Sequence, residues 1–240
     1  MRFFVSAKDI ISDTVTITGS DCVHIGVSLR CRPDDVIIVC DEQMHEYTCK
    51  IISITPDVVT AKIMDVNIAA SEPSVKIHLY QSLAKGDKLD LIIQKATEIG
   101  VHDITLVNSK RCIVKYDSKD CTKKVERFSK IAESAAKQSG RGIVPAIFPP
   151  VSIEEALDQA KGKKLFCYEL EKGMSIKEAV NGEKIDEISI FIGPEGGYTS
   201  KEAETALLSG AVSVTLGKRI LRCETAPLFV ISCLMYEFDL

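Results

Sequence analysis

No apolar stretch of the chain approaches the roughly 20 residues that a membrane-spanning helix needs, so no transmembrane segment is expected. The first residues, MRFFVSAKDII, lack the long apolar core and small-residue cleavage site of a secretory signal. None of the nine cysteines forms a CxxC pair, and the four histidines show no ligand-like spacing, so a metal site is not expected. Cys22, Cys31, Cys40 and Cys49 fall nine residues apart, yet nothing else repeats with them. Reduced thiols in a cytoplasmic protein are the expectation. Two phosphate-binding fingerprints are also missing. Gly217-Lys218 has Val212 where a Walker loop needs its first glycine and Arg219 where it needs Ser or Thr. Gly193, Gly196 and Gly197 do not fit GxGxxG.

What is present is ordinary globular composition: 240 residues, 45% hydrophobic and 27% charged, enough for one large domain or a small one plus a medium one. The formal net charge of −4 argues against a uniformly basic nucleic-acid binder. Its distribution is uneven. Residues 108–141 hold ten Lys/Arg against four Asp/Glu, whereas residues 1–71 hold six against ten. A basic strip of this kind is either a solvated helix face or a surface for an anionic partner.

The pattern divides the chain into residues 1–70 and 71–240. In the first region TVTITG (14–19), VIIVCD (36–41), YTCKIISI (47–54) and DVVTAKIMDV (57–66) read as short strands of a small β-barrel, and AASEPS (69–74) as a linker. Strands and helices then alternate. KGDKLDLIIQKATEIG carries a helical stripe stopped by Gly100, TKKVERFSKIAESAAKQSG buries Phe128, Ala132 and Ala135, and three capping boxes pair Ser152 with Glu155, Ser175 with Glu178 and Thr199 with Glu202. APLFVISCLMYEF is the last helix, with Thr225 as N-cap and Pro227 in its first turn. Such alternation predicts a mostly parallel α/β sheet covered on both faces.

In open α/β sheets ligands sit outside the carboxyl ends of the strands. Three loops leave strands this way: YELEKGMS (168–175), GPEGGYTS (193–200) and LGKRILRCETAP (216–227). The glycines of the second bring main chain close to a ligand without a lysine clamp, or else form only a tight turn. The third places Arg219, Arg222 and Glu224 within six residues at the start of a helix whose free amides attract anions.

FIGPEGGYTSKEAE followed by LGKRILRCETAP closely resembles the RsmE family of 16S ribosomal RNA uridine-N3 methyltransferases, of the SPOUT class. MRFF, HIGVSLR, LAKGDKLDLIIQKATEIGV, SKRCIVK and ESAAKQSGR match family stretches in the same order, so the resemblance spans the chain. Cys223 stands where the family usually has Thr, and Tyr198-Thr199 where Phe-Ser is common.

The resemblance implies a SPOUT-type knotted, mostly parallel sheet flanked by helices in 71–240, and a PUA-like RNA-binding β-barrel in 1–70. It implies S-adenosylmethionine held largely by main chain, with Tyr168, Glu169, Gly193, Pro194, Glu195, Gly196, Gly197, Leu216, Gly217, Ile220, Leu221, Arg222 and Thr225 as its contacts. The implied partners are 16S rRNA within the 30S subunit and a second copy of the chain, with no membrane and no DNA. Arg222 stays protonated, so it is expected to stabilise developing charge and not to act as a base. Glu195 is the expected base, with a loop-holding role as its alternative. RNA contacts are expected from Arg2, His24 and Arg30 in the barrel and from Lys85, Lys95, Arg111 and Arg141 beyond it. Other readings are a SPOUT enzyme acting on a ribose 2′-hydroxyl or on transfer RNA, and a non-catalytic ribosome-assembly factor.

Overall fold

The computed structural model describes residues 1–41 and 43–239, apart from the side chains of Ser118 and Lys119. The chain forms two compact units, Met1–Glu72 with Ala136–Val144, and Pro73–Ala135 with Pro145 onward.

The first unit holds six strands, β1 (Arg2–Phe4), β2 (Ile10–Ile11), β3 (Thr14–Thr18), β4 (Val36–Cys40), β5 (His45–Ile54) and β6 (Val58–Ile68), and the short helix α1 (Gly19–Val23). They pair in the order β1-β4-β5-β6-β3-β2, with only β1 and β4 parallel. The sheet curls into a half-barrel with β1 and β2 at its ends, in keeping with the small β-barrel expected. Alternation places Val15 and Ile17 of β3 inside with Phe3, Ile37, Val39, Ile51 and Val59, while the threonines between them stay at the surface.

Two arginines expected at the RNA surface belong to this unit's scaffold. Arg141 is buried: its Nη2 donates to Glu72 Oε2 at 2.5 Å and its Nε to Oε1 at 3.1 Å, and the Gly142 N–H donates to the same carboxylate. Arg2 donates to Glu46 Oε2 at 2.6 Å and to the Arg141 carbonyl at 3.2 Å. Both guanidinium groups are engaged by internal acceptors, which gives each a scaffold role where an RNA contact had been expected.

The second unit is built on a six-stranded sheet, β7 (Lys76–Ser82), β8 (Asp103–Asn108), β9 (Ala146–Ser152), β10 (Lys163–Cys167), β11 (Glu187–Ile192) and β12 (Val212–Val214). The order is β12-β10-β11-β7-β8-β9, and every pairing is parallel. Helices α2 (Lys88–Ile99), α3 (Ser118–Ser139), α4 (Ile153–Gln159), α5 (Ile176–Val180), α6 (Ser200–Leu208) and α7 (Ala226–Phe238) connect them, α3 running into the first unit. α2 packs on α7, and α4 on α6. Register sets Tyr80, Phe191 and Phe166 side by side on the α4/α6 face, where Tyr80 and Phe191 stack at 4.6 Å. All three capping boxes form as read from the sequence. Thr225 is at the N-cap of α7 but its side chain makes no capping bond.

The sequence reading missed β9, where Pro149 and Pro150 mask the strand. It sits at the sheet edge, and its pairing with β8 shifts register across the two prolines, between Thr105 and Val107.

Arg141→Ala leaves the Glu72 carboxylate buried without its cation and is expected to cost about 3–5 kcal/mol. Urea unfolding measures this, and a loss below about 1 kcal/mol would contradict the structural assignment.

Candidate functional site

Because all six strands of the second unit are parallel, the carboxyl ends of β12, β10, β11 and β7 open on one edge. The segments leaving them surround a cavity of about 450 Å³, within the range of small-molecule sites. Of the cofactor contacts expected from the sequence, Tyr168, Glu169, Gly193, Pro194, Glu195, Gly196, Gly197, Leu216, Gly217, Ile220, Leu221 and Arg222 all line it. Thr225 does not; it is exposed on the turn before α7, between the lining residues Glu224 and Ala226.

The glycine loop is held by its own unit. Tyr198 is 1% exposed and packs on Phe166 at 4.3 Å, which anchors the loop at its far end. A Cβ on Gly193 would meet the Tyr198 ring at 3.2 Å. Gly197 has φ +64, and a Cβ there would meet the Glu169 carboxylate at 2.0 Å. Gly197 is thus favoured by its left-handed backbone, and Gly193 by close packing against the Tyr198 ring. From the segment after β8, Arg111 Nη1 donates to the carbonyls of Gly196 at 2.8 Å and Tyr198 at 3.1 Å. The Lys110 N–H donates to Glu202, which also caps α6. Arg111 thus braces the loop, where an RNA contact had been expected.

One ammonium joins the two motif loops. Lys88 Nζ, in the first turn of α2, donates to Glu195 Oε1 at 2.9 Å and lies 3.6 Å from Glu224 Oε2. The Lys85 N–H donates to the same Glu195 oxygen at 3.0 Å. Burial works to raise the Glu195 carboxyl, but the Lys85 N–H and the Lys88 ammonium outweigh it and hold the group below the ordinary 4.5. Glu224 is likewise held below 4.5: burial opposes, while its own N–H, the Cys223 thiol, Lys88 and Arg222 favour the anion. Lys88 is raised above 10.5, first by its bond to Glu195. Burial pushes the Cys223 thiol up to about 12, so it stays protonated and unreactive at neutral pH. A carboxylate with a lowered pKa that already carries an ammonium is a poor proton acceptor. The geometry therefore favours the loop-holding role of Glu195 over that of a base. Arg222 is exposed at the rim, 3.9 Å from Glu224 Oε1.

The remaining basic residues are dispersed. Lys85 is exposed beside the site, and Lys95 spends its ammonium on both Glu98 oxygens at 2.8 Å. In the first unit His24 and Arg30 are exposed, Arg30 with φ +54. Lys88, Cys167, Ile192, Thr215 and Cys223 line the cavity but were not among the expected contacts. For Lys88 the usable signal was the fourth strand-to-helix loop, LAKGDK, which obeys the same carboxyl-end rule; the other four lie within or directly before the three loops noted.

Gly197→Ala forces a left-handed backbone on a residue with a Cβ, and a loss of about 1–2 kcal/mol in urea unfolding is expected. The lowered carboxyls contribute stability that is whole above 4.5 and is lost as the pH falls through their depressed values. Glu195→Gln should therefore lose less stability than the parent on acidification below 4.5, read from the urea midpoints.

Residues 71–235 match the family model of the RNA methyltransferase domain, and residues 17–64 that of the RNA methyltransferase PUA domain. Ribosomal RNA small subunit methyltransferase E of Bacillus subtilis is 35% identical, over 100% of this chain and 97% of its own length. The protein of the same name from Mesomycoplasma hyopneumoniae is 32% identical over 96% and 97%. The crystal structure of ribosomal RNA small subunit methyltransferase E from Neisseria gonorrhoeae, bound to S-adenosyl methionine, is 32% identical with a TM-score of 0.88, covering 99% of this chain and 97% of the other. The cavity at the strand ends, its two motif loops and these full-length matches place the chain in the RNA methyltransferase family that includes ribosomal RNA small subunit methyltransferase E.

Proposed function

We propose that the protein transfers a methyl group from S-adenosylmethionine to N3 of a uridine in 16S rRNA. The observation that carries this is the cavity bounded by loops 193–199 and 215–225, in a chain similar along its length to small-subunit rRNA methyltransferases. The lining suits the cofactor. Gly193 and Gly197 leave main chain bare, Leu216, Ile220 and Leu221 offer apolar contact, and Glu169 offers negative charge to a cation. S-adenosylmethionine supplies an electrophilic methyl on a sulfonium.

The chain's own residues would align the base and manage its charge. Methyl transfer is an in-line displacement, so alignment is the larger share of catalysis. Uracil N3 carries a proton whose pKa lies well above neutral and becomes a good nucleophile only as that proton leaves. Arg222 is charged, exposed at the rim, and free to meet the negative charge that develops on the uracil oxygens. Glu195 and Glu224 both sit below their ordinary value, which makes each of them a weak acceptor for that proton.

Several finer features belong to the same reading. The half-barrel would contact rRNA through His24 and Arg30, and the second unit through Lys85. The chain would act as a homodimer, and Phe229 and Tyr236, seven residues apart and exposed on α7, fit a helix face awaiting a second copy. The C-terminal loops would form the trefoil knot of the SPOUT class, consistent with β11 lying between β7 and β10 while the chain continues to β12 beyond β10. The protein would work in the cytoplasm, on 16S rRNA within the 30S subunit during ribosome biogenesis.

Incubation with labelled S-adenosylmethionine and unmodified 30S particles, followed by nucleoside analysis, should yield 3-methyluridine. A 2′-O-methyl nucleoside or a modified guanine would refute the N3 assignment, and absence of label would refute the enzyme reading. Arg222→Ala should lower kcat by about 10²–10³. Arg30→Ala and Lys85→Ala should each flatten the salt dependence of RNA binding, by about one charge in the slope. Arg2→Ala should not.

A further inference from the structure

We infer that Lys88 is the positioning residue that latches the two cofactor loops together, a role that rests on the cavity taking S-adenosylmethionine. Glu195 belongs to the glycine loop after β11, and Glu224 to the loop after β12; the Lys88 ammonium is 2.9 Å from one carboxylate and 3.6 Å from the other. The two carboxylates are thus no farther apart than those distances combined, and without the cation between them they repel. Lys88 comes from a third element, α2, whose Leu89, Ile92 and Ile93 are fully buried, so its origin is fixed. It also stands in the first turn of that helix, where the macrodipole disfavours a cation. The two carboxylates supply the attraction that offsets this, and Lys88 lines the cavity they close. Arg111 holds the same glycine loop through its carbonyls, from outside the cavity lining. Lys88 thus reaches both loops at once, and its ammonium also lies 3.8 Å from the Cys223 thiol of the second.

Two measurements on the full chain test this. In calorimetric titrations with S-adenosylmethionine, Lys88→Met should weaken binding about tenfold, Lys88→Arg should stay within about threefold of the parent, and Glu195→Gln added to Lys88→Met should weaken it little further. In the cofactor-free protein, Lys88→Met should speed amide hydrogen exchange in both 193–197 and 221–224. Unchanged affinity in Lys88→Met, additive losses in the double variant, or faster exchange in only one loop would each overturn the latch. Should the parent itself fail to bind S-adenosylmethionine, the cofactor reading falls and the exchange comparison alone decides whether Lys88 joins the loops.

Discussion

The parallel register of β7, β10, β11 and β12 is the constraint on which the site depends. It brings four carboxyl ends to one edge of the second unit, so segments far apart in sequence become walls of one cavity. The register is set by burial on both faces of the sheet, with Tyr80, Phe166 and Phe191 toward α4 and α6 and the strand residues between them on the opposite face. A one-residue slip would reverse these faces and scatter the loops.

Once gathered, the loops are held by polar contacts as well as by the buried Tyr198 ring. Lys88, Arg111 and Glu202 each tie a loop to a neighbouring segment, and each uses a polar group that would otherwise be solvated. The same economy operates in the first unit, where Arg2 and Arg141 meet Glu46 and Glu72. The consequence for function is that several cations expected at an RNA surface, Arg2, Lys95, Arg111 and Arg141, are already committed to internal acceptors. What stays available for an anionic partner among the residues considered is narrower: His24, Arg30, Lys85 and Arg222.

Local signals in the sequence were read well where the physics is local. The capping boxes at Ser152, Ser175 and Thr199 formed because a side chain three residues away satisfies the amide it faces. Gly100 ended α2, and its φ of +125 explains why glycine is there. The motif loops were found because glycine density after an apolar run has few other uses. β9 was missed because Pro149 and Pro150 argue against a strand unless it is known to be an edge.

By itself, then, the sequence determined the alternation of strands and helices, the cavity-lining loops and the family, since these follow from periodicity, turn chemistry and contiguous motifs. Only the tertiary structure decided which charges face solvent and which face each other. Arg141 and Arg30 look alike in sequence, yet one is buried against Glu72 and the other is exposed. Whether a cation is free depends on partners such as Glu195 and Glu224, 107 and 136 residues beyond Lys88, and the distance between them in space is not written in the order of the chain.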